Sequence, residues 1–105
     1  MKITENGASL IRAHVPSDRP HIRLLVTGGD GQGFRVEVDL NPGEWDGDQC
    51  GEMHEVFWRI DPVSWQFLSA TILDRGSEAG ELILRGVPDI GPGKPTKDLS
   101  IVLLQ

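Results

Sequence analysis

The chain has one cysteine, Cys50, and no tyrosine. A single thiol forms no intramolecular disulfide, and it cannot supply the several thiolates of an ordinary iron-sulfur or structural zinc site. Long apolar runs are also missing. No stretch approaches the roughly 20 residues needed to span a bilayer, and the opening MKITENGASL lacks the basic-then-apolar order of a signal peptide, so a cytoplasmic protein is expected. Basic charge is scarce. Ten Lys and Arg stand against sixteen Asp and Glu, for a formal net charge of -6 and a pI near 4.9. The field of such a chain repels phosphate backbones and anionic lipid surfaces, and the basic residues are scattered, so no nucleic-acid or membrane partner is expected. Acidity of this size serves solubility and also fits a basic protein partner.

The signatures of common catalytic sites are absent too. There is no GxSxG elbow and no HExxH. Gly93-Lys94 runs into proline without the leading glycine of a phosphate-binding loop. Isolated serines, acids and histidines occur in every domain, so no enzyme is expected and no catalytic residue stands out.

What is present suits one small domain over residues 1–105, with enough apolar content (38%) for a single core. Thr4 followed by Glu5 reads as a helix start, with Ala8, Ile11 and Val15 at helical spacing and Pro16 closing the element. HIRLLV over residues 21–26 suggests a strand. The stretch Phe34-Arg35-Val36-Glu37-Val38-Asp39-Leu40 alternates throughout, which sends Phe34, Val36, Val38 and Leu40 to the core. Residues 41–52, NPGEWDGDQCGE, are rich in turn formers and acids and read as a mobile connection. Strand character returns at residues 55–60. Asp61-Pro62 reads as a cap and first position of a short helix, with Val63, Phe67 and Leu68 as its buried face. Further strands are expected at residues 71–73, 81–84 and 99–104, with a loop near residues 86–98 that is expected to be flexible.

Three segments are candidate sites. The loop Thr27-Gly28-Gly29-Asp30-Gly31-Gln32-Gly33 has the glycines of a phosphate cradle, but an alternating strand follows it where a helix is required, and Asp30 would repel phosphate. A strand-to-strand turn is the better reading. Asp46-Gly47-Asp48-Gln49-Cys50-Gly51 matches the opening of a calcium loop, yet its twelfth place is Phe57 in place of a glutamate. Cys50 with His54 and Glu52 or Glu55 could hold a metal loosely, given remote ligands such as His14 or His21. Among the tryptophans, Trp58 and Trp65 fall on expected core elements. Trp45 sits in the acidic connection, where it reads as an exposed binding anchor.

The order of ITENGAS, IRLLVTGGDGQGF and IDPVSWQFLSATILD resembles the HesB/IscA-type family, the A-type iron-sulfur carriers, over roughly the first 88 residues. The resemblance implies an α+β fold: a compact β-sandwich of mixed strands with a few short helices. It also puts Gly31 where the family carries its first cysteine. The tail Gly91-Pro92-Gly93-Lys94-Pro95-Thr96-Lys97 lies where a C-G-C-G-like motif is expected, and it has no cysteine. The chain therefore resembles the cysteine-less, DsrR-type branch of the family, associated with dissimilatory sulfur oxidation. What that implies is an accessory protein without catalysis, cofactor or metal site. It would contact other proteins of a sulfur or iron-sulfur pathway, as a monomer or weak homo-oligomer, through Asp30, Gly31, Gln32, Lys94 and Trp45. The alternative is a divergent iron or iron-sulfur carrier using Cys50 or nitrogen and oxygen ligands.

Overall fold

The computed structural model describes residues 1–28, 34–40, 42–43, 46–88 and 96–103. Eight strands and two helices follow in the order β1 (Lys2–Ile3), α1 (Glu5–His14), β2 (His21–Gly28), β3 (Phe34–Leu40), β4 (Gln49–Met53), β5 (Val56–Ile60), α2 (Pro62–Leu68), β6 (Ile72–Arg75), β7 (Glu81–Pro88) and β8 (Thr96–Val102). They form two four-stranded mixed sheets, ordered β1-β6-β7-β8 and β3-β2-β5-β4. The pairs β1–β6 and β2–β5 are parallel and the rest antiparallel. This is the α+β fold of two mixed sheets that the family resemblance implied.

Alternation explains the core. Ile22 and Leu24 of β2, Val56, Trp58 and Ile60 of β5, and Leu73, Leu82, Leu84 and Ile101 of the other sheet are buried between the layers. Val36, Val38 and Leu40 pack against them half-exposed, as befits a strand at a sheet edge. Each fully buried aliphatic side chain contributes about 1.5–3 kcal/mol, so this interior is the main source of stability.

The helices close opposite ends of the sandwich. α1 leads into β2, α2 follows β5, and β2 and β5 run parallel, so the two helices cannot share an end. Thr4 caps α1 by accepting from Gly7 N–H at 3.0 Å, and its hydroxyl donates to Asp74 at 2.6 Å. Gly7 is required by close approach: a Cβ there would lie 3.0 Å from the Leu73 carbonyl oxygen. Asp61 caps α2 by accepting from Ser64 N–H at 3.1 Å, with Pro62 opening the helix.

Three expectations are corrected. Val63 is not part of the buried face of α2 but 67% exposed; Ser64 and Leu68 are the buried pair. In a helix of two turns, the i, i+4 pair 64/68 sets the face and turns Val63 outward. Residues 41–52 are not wholly a connection, because Gln49–Met53 forms edge strand β4 against β5. The turn between them, His54-Glu55, has φ of 52° and 67°, the left-handed geometry of a tight hairpin that usually announces itself as Asn-Gly. Arg12 of α1 donates to the His54 carbonyl and holds this turn from outside. The loop expected near residues 86–98 is narrower at both ends, since β7 runs to Pro88 and β8 begins at Thr96.

Candidate functional site

The end of the sandwich that carries α2 gathers the segments singled out in the sequence. β2 finishes there: the backbone N–H of Val26 donates to Ser64 Oγ of α2 at 2.9 Å. β7 runs antiparallel to β6, the strand that leaves α2, so β7 also finishes at this end, and α2 packs on both β2 and β7. The described residues that flank positions 29–33 and 89–95, Gly28 and Phe34 and Pro88 and Thr96, therefore both fall at this end. Asp30, Gly31, Gln32 and Lys94 belong to those positions. They lie outside the described residues, as does Trp45 in the passage from β3 to β4.

The described floor of this end is well tied. Trp65 of α2 stacks on Trp58 of β5, with ring centroids 5.4 Å apart and planes 12° from parallel. Gly51 of β4 makes room for the Trp58 ring, since a Cβ there would come within 2.3 Å of it. Burial works against ionisation of Asp61, but hydrogen bonds from Ser64 and the nearby charge of Arg23 outweigh it and hold the carboxyl below its ordinary range. Arg23 points away from the core on β2 and grips Asp48 through two bonds of 3.0 and 3.3 Å. The Asp48 side chain is only 2% exposed. That hydrogen-bonded partner holds the Arg23 guanidinium above its ordinary range. The pair fixes the chain just before β4 across the outer face of the sheet.

Cys50 lies elsewhere. It is exposed on β4, opposite Arg59 in register, with its sulfur 3.5 Å from the Asp48 carbonyl oxygen. Glu52 follows two residues on along the same exposed face of β4, while His54 and Glu55 form the turn beyond. His21 is taken up by stacking on Phe57 at 4.9 Å, and His14 by the Leu10 carbonyl at 3.0 Å. Among the described residues, no three His, Cys, Asp or Glu side chains come together as a metal site.

Comparison with known proteins decides the family. The chain is 30% identical over 94 residues to the iron-sulfur cluster insertion protein ErpA of Acidithiobacillus ferrooxidans, a match covering 81% of this chain and 73% of the relative. It is 28% identical over 90 residues to ErpA of Pseudomonas savastanoi pv. phaseolicola and of Pseudomonas syringae pv. tomato, covering 81% of this chain and 78% of each relative. The chain belongs to the HesB/IscA-type family of A-type iron-sulfur carriers. No family model matches it, and no solved structure does.

For an A-type carrier the cluster is cargo, and its grip comes from thiolates, because soft charge-donating sulfur suits iron. Residues 29–33 and 89–95, whose flanking residues fall at the α2 end, contain glycines, Asp30, Gln32, Asp89, Ile90, prolines and Lys94, and no cysteine. That donor set does not fit a cluster. Sequence reasoning missed the Arg23–Asp48 pair and the buried Ser64 hydroxyl. Each had a faint signal: a lone arginine inside the apolar run HIRLLV, and a serine three residues after a capping aspartate.

Proposed function

We propose that this A-type carrier homologue is a non-catalytic accessory protein of sulfur oxidation or iron-sulfur metabolism. It uses the carrier scaffold for contacts with other proteins of its pathway and does not hold a cluster itself. One observation carries the reading: the described residues flanking positions 29–33 and 89–95 fall together at the α2 end, yet neither segment contains a cysteine. The scaffold that would present a cluster is kept, and the ligands are gone.

The contact surface is the α2 end. Asp30, Gly31, Gln32, Trp45 and Lys94 are its sequence-derived members, and the outward Val63 adds an apolar side chain on α2. Exposed apolar and aromatic groups on a fixed frame are the usual anchors of protein recognition. A cysteine-less member of this kind belongs with the sulfur-oxidation type of the family. Photo-crosslinking residues placed at positions 30, 45, 63 and 94 test the surface, with a control at Glu5 on the opposite end. The reading expects adducts with the same partner from the α2-end positions and none from Glu5. Equal labelling from Glu5, or none from the α2 end, would overturn it.

A further inference from the structure

Met53, the last residue of β4, ties the two sheets together at the α1 end. The backbone N–H of Ile3 on β1 donates to its Sδ at 3.2 Å, and β1 and β4 belong to different sheets. The neighbours of Ile3 point the other way: Lys2 N–H donates to the Thr71 carbonyl at 3.0 Å and Thr4 N–H to the Leu73 carbonyl at 2.9 Å. A thioether is a weak acceptor for a backbone donor, so this tie depends on the state of the sulfur.

The two residues after Met53 are strained. His54 and Glu55 take φ of 52° and 67°, a left-handed geometry that a residue with a Cβ adopts only at a cost. The N-terminal segment holds them there. Arg12 donates to the His54 carbonyl, and Ile3 donates to Met53 beside it. A hollow of about 320 Å³ lined by Glu5, Arg12, His54 and Glu55 adjoins the turn and gives it room to move. Met53 packs against the core but is only partly buried, which leaves it open to small solutes.

We propose that Met53 is a site of reversible oxidation, where hydrogen peroxide releases the β4–β5 hairpin from β1. The sulfur takes one peroxide oxygen: the S–O bond forms and the O–O bond breaks. Sulfur loses two electrons to become the sulfoxide, and the other oxygen leaves with both protons as water. The new oxygen cannot enter a gap already closed to 3.2 Å unless the hairpin shifts outward. Pointed elsewhere, it leaves the Ile3 N–H facing a sulfur of partial positive charge. The side chain has also become polar where it packed as an apolar one, and the strained turn is free to relax. A methionine sulfoxide reductase restores the thioether.

Peroxide treatment of the full chain carrying Cys50→Ala tests the proposal, because Cys50 is exposed and would react too. Peptide mass mapping distinguishes Met53 from Met1, the other methionine. One oxygen is expected at Met53. Amide exchange at Ile3 should then quicken about tenfold while Leu24 in the core keeps its protection, and the melting temperature should fall by about 4 °C or more. Methionine sulfoxide reductase should reverse both changes. Met53→Leu keeps the apolar volume and should make exchange at Ile3 fast with or without peroxide. Met53→Gln supplies a polar oxygen without oxidant and should show the same fast exchange. The proposal is overturned if Met53 stays unoxidised in the folded chain, or if its oxidation leaves Ile3 exchange unchanged. Equal loss of protection at Leu24, or a peroxide response in Met53→Leu as large as in the parent, overturns it as well.

Discussion

The two ends of the sandwich use their polar groups differently. At the α1 end the chain binds itself: Thr4 caps the helix and donates to Asp74, Asp74 also accepts from Arg75 N–H at 2.8 Å, and Arg12 clamps the His54 turn. At the α2 end the described polar ties lie at the floor. Ser64 holds β2 and Asp61 caps the helix, but Val63 faces outward and two glycine-bearing connections leave the strands there. Among the described residues, the fold is secured by contacts between the strands and the two helices.

The contrast can be broken from either side. The largest effect is expected for Trp58→Ala, which empties a core position and removes the seat of Trp65; urea unfolding should show a loss of about 3–5 kcal/mol. Next is Ser64→Ala. It leaves the backbone N–H of Val26 without its acceptor and should cost about 1–3 kcal/mol, with faster amide exchange at Val26 as a local readout. Thr4→Ala on the α1 end should cost about 1–2 kcal/mol in thermal unfolding through the lost cap. Val63→Ser should leave stability within about 0.5 kcal/mol of wild type while weakening partner crosslinks at the α2 end.

Acid sharpens the same comparison. The Thr4 hydroxyl, then the Arg75 N–H, holds the Asp74 carboxyl below its ordinary range. A carboxyl depressed in the folded state stabilises fully above its unfolded value, about pH 4 for aspartate, and that stability fades as pH falls through the lower folded value. Melting temperature measured from pH 6 down to pH 2 should therefore fall on the acid side, and Thr4→Ala should make that fall shallower. A fall unchanged in Thr4→Ala would assign it to other carboxyls.

Much of this was legible in the sequence, for physical reasons. The strict alternation of 34–40 fixed β3 to the residue, and Thr4 and Asp61-Pro62 marked both helix starts, because caps and period-two patterns are local. β4 was hidden because Gln49, Cys50 and Glu52 are exposed and its inward places are Gly51 and Met53, a strand whose core contribution is mostly room for Trp58. The two-residue β1 was likewise hidden, being short and held by parallel pairing with β6, seventy positions away in sequence. At the candidate site, the missing cysteines could be read directly. That the residues flanking positions 29–33 and 89–95 fall at one end followed only from the strand order, which no local pattern encodes.

The central claim is that the scaffold persists without the cluster. Anaerobic iron-sulfur reconstitution of the purified protein tests it most directly, with iron analysis and visible absorption read against a cysteine-containing A-type carrier treated alongside. The account predicts no stoichiometric iron and no thiolate-to-iron absorption bands, with the protein still folded. Stoichiometric iron that disappears in Cys50→Ala would contradict it, and would make the exposed thiol on β4 a replacement for the lost ligands.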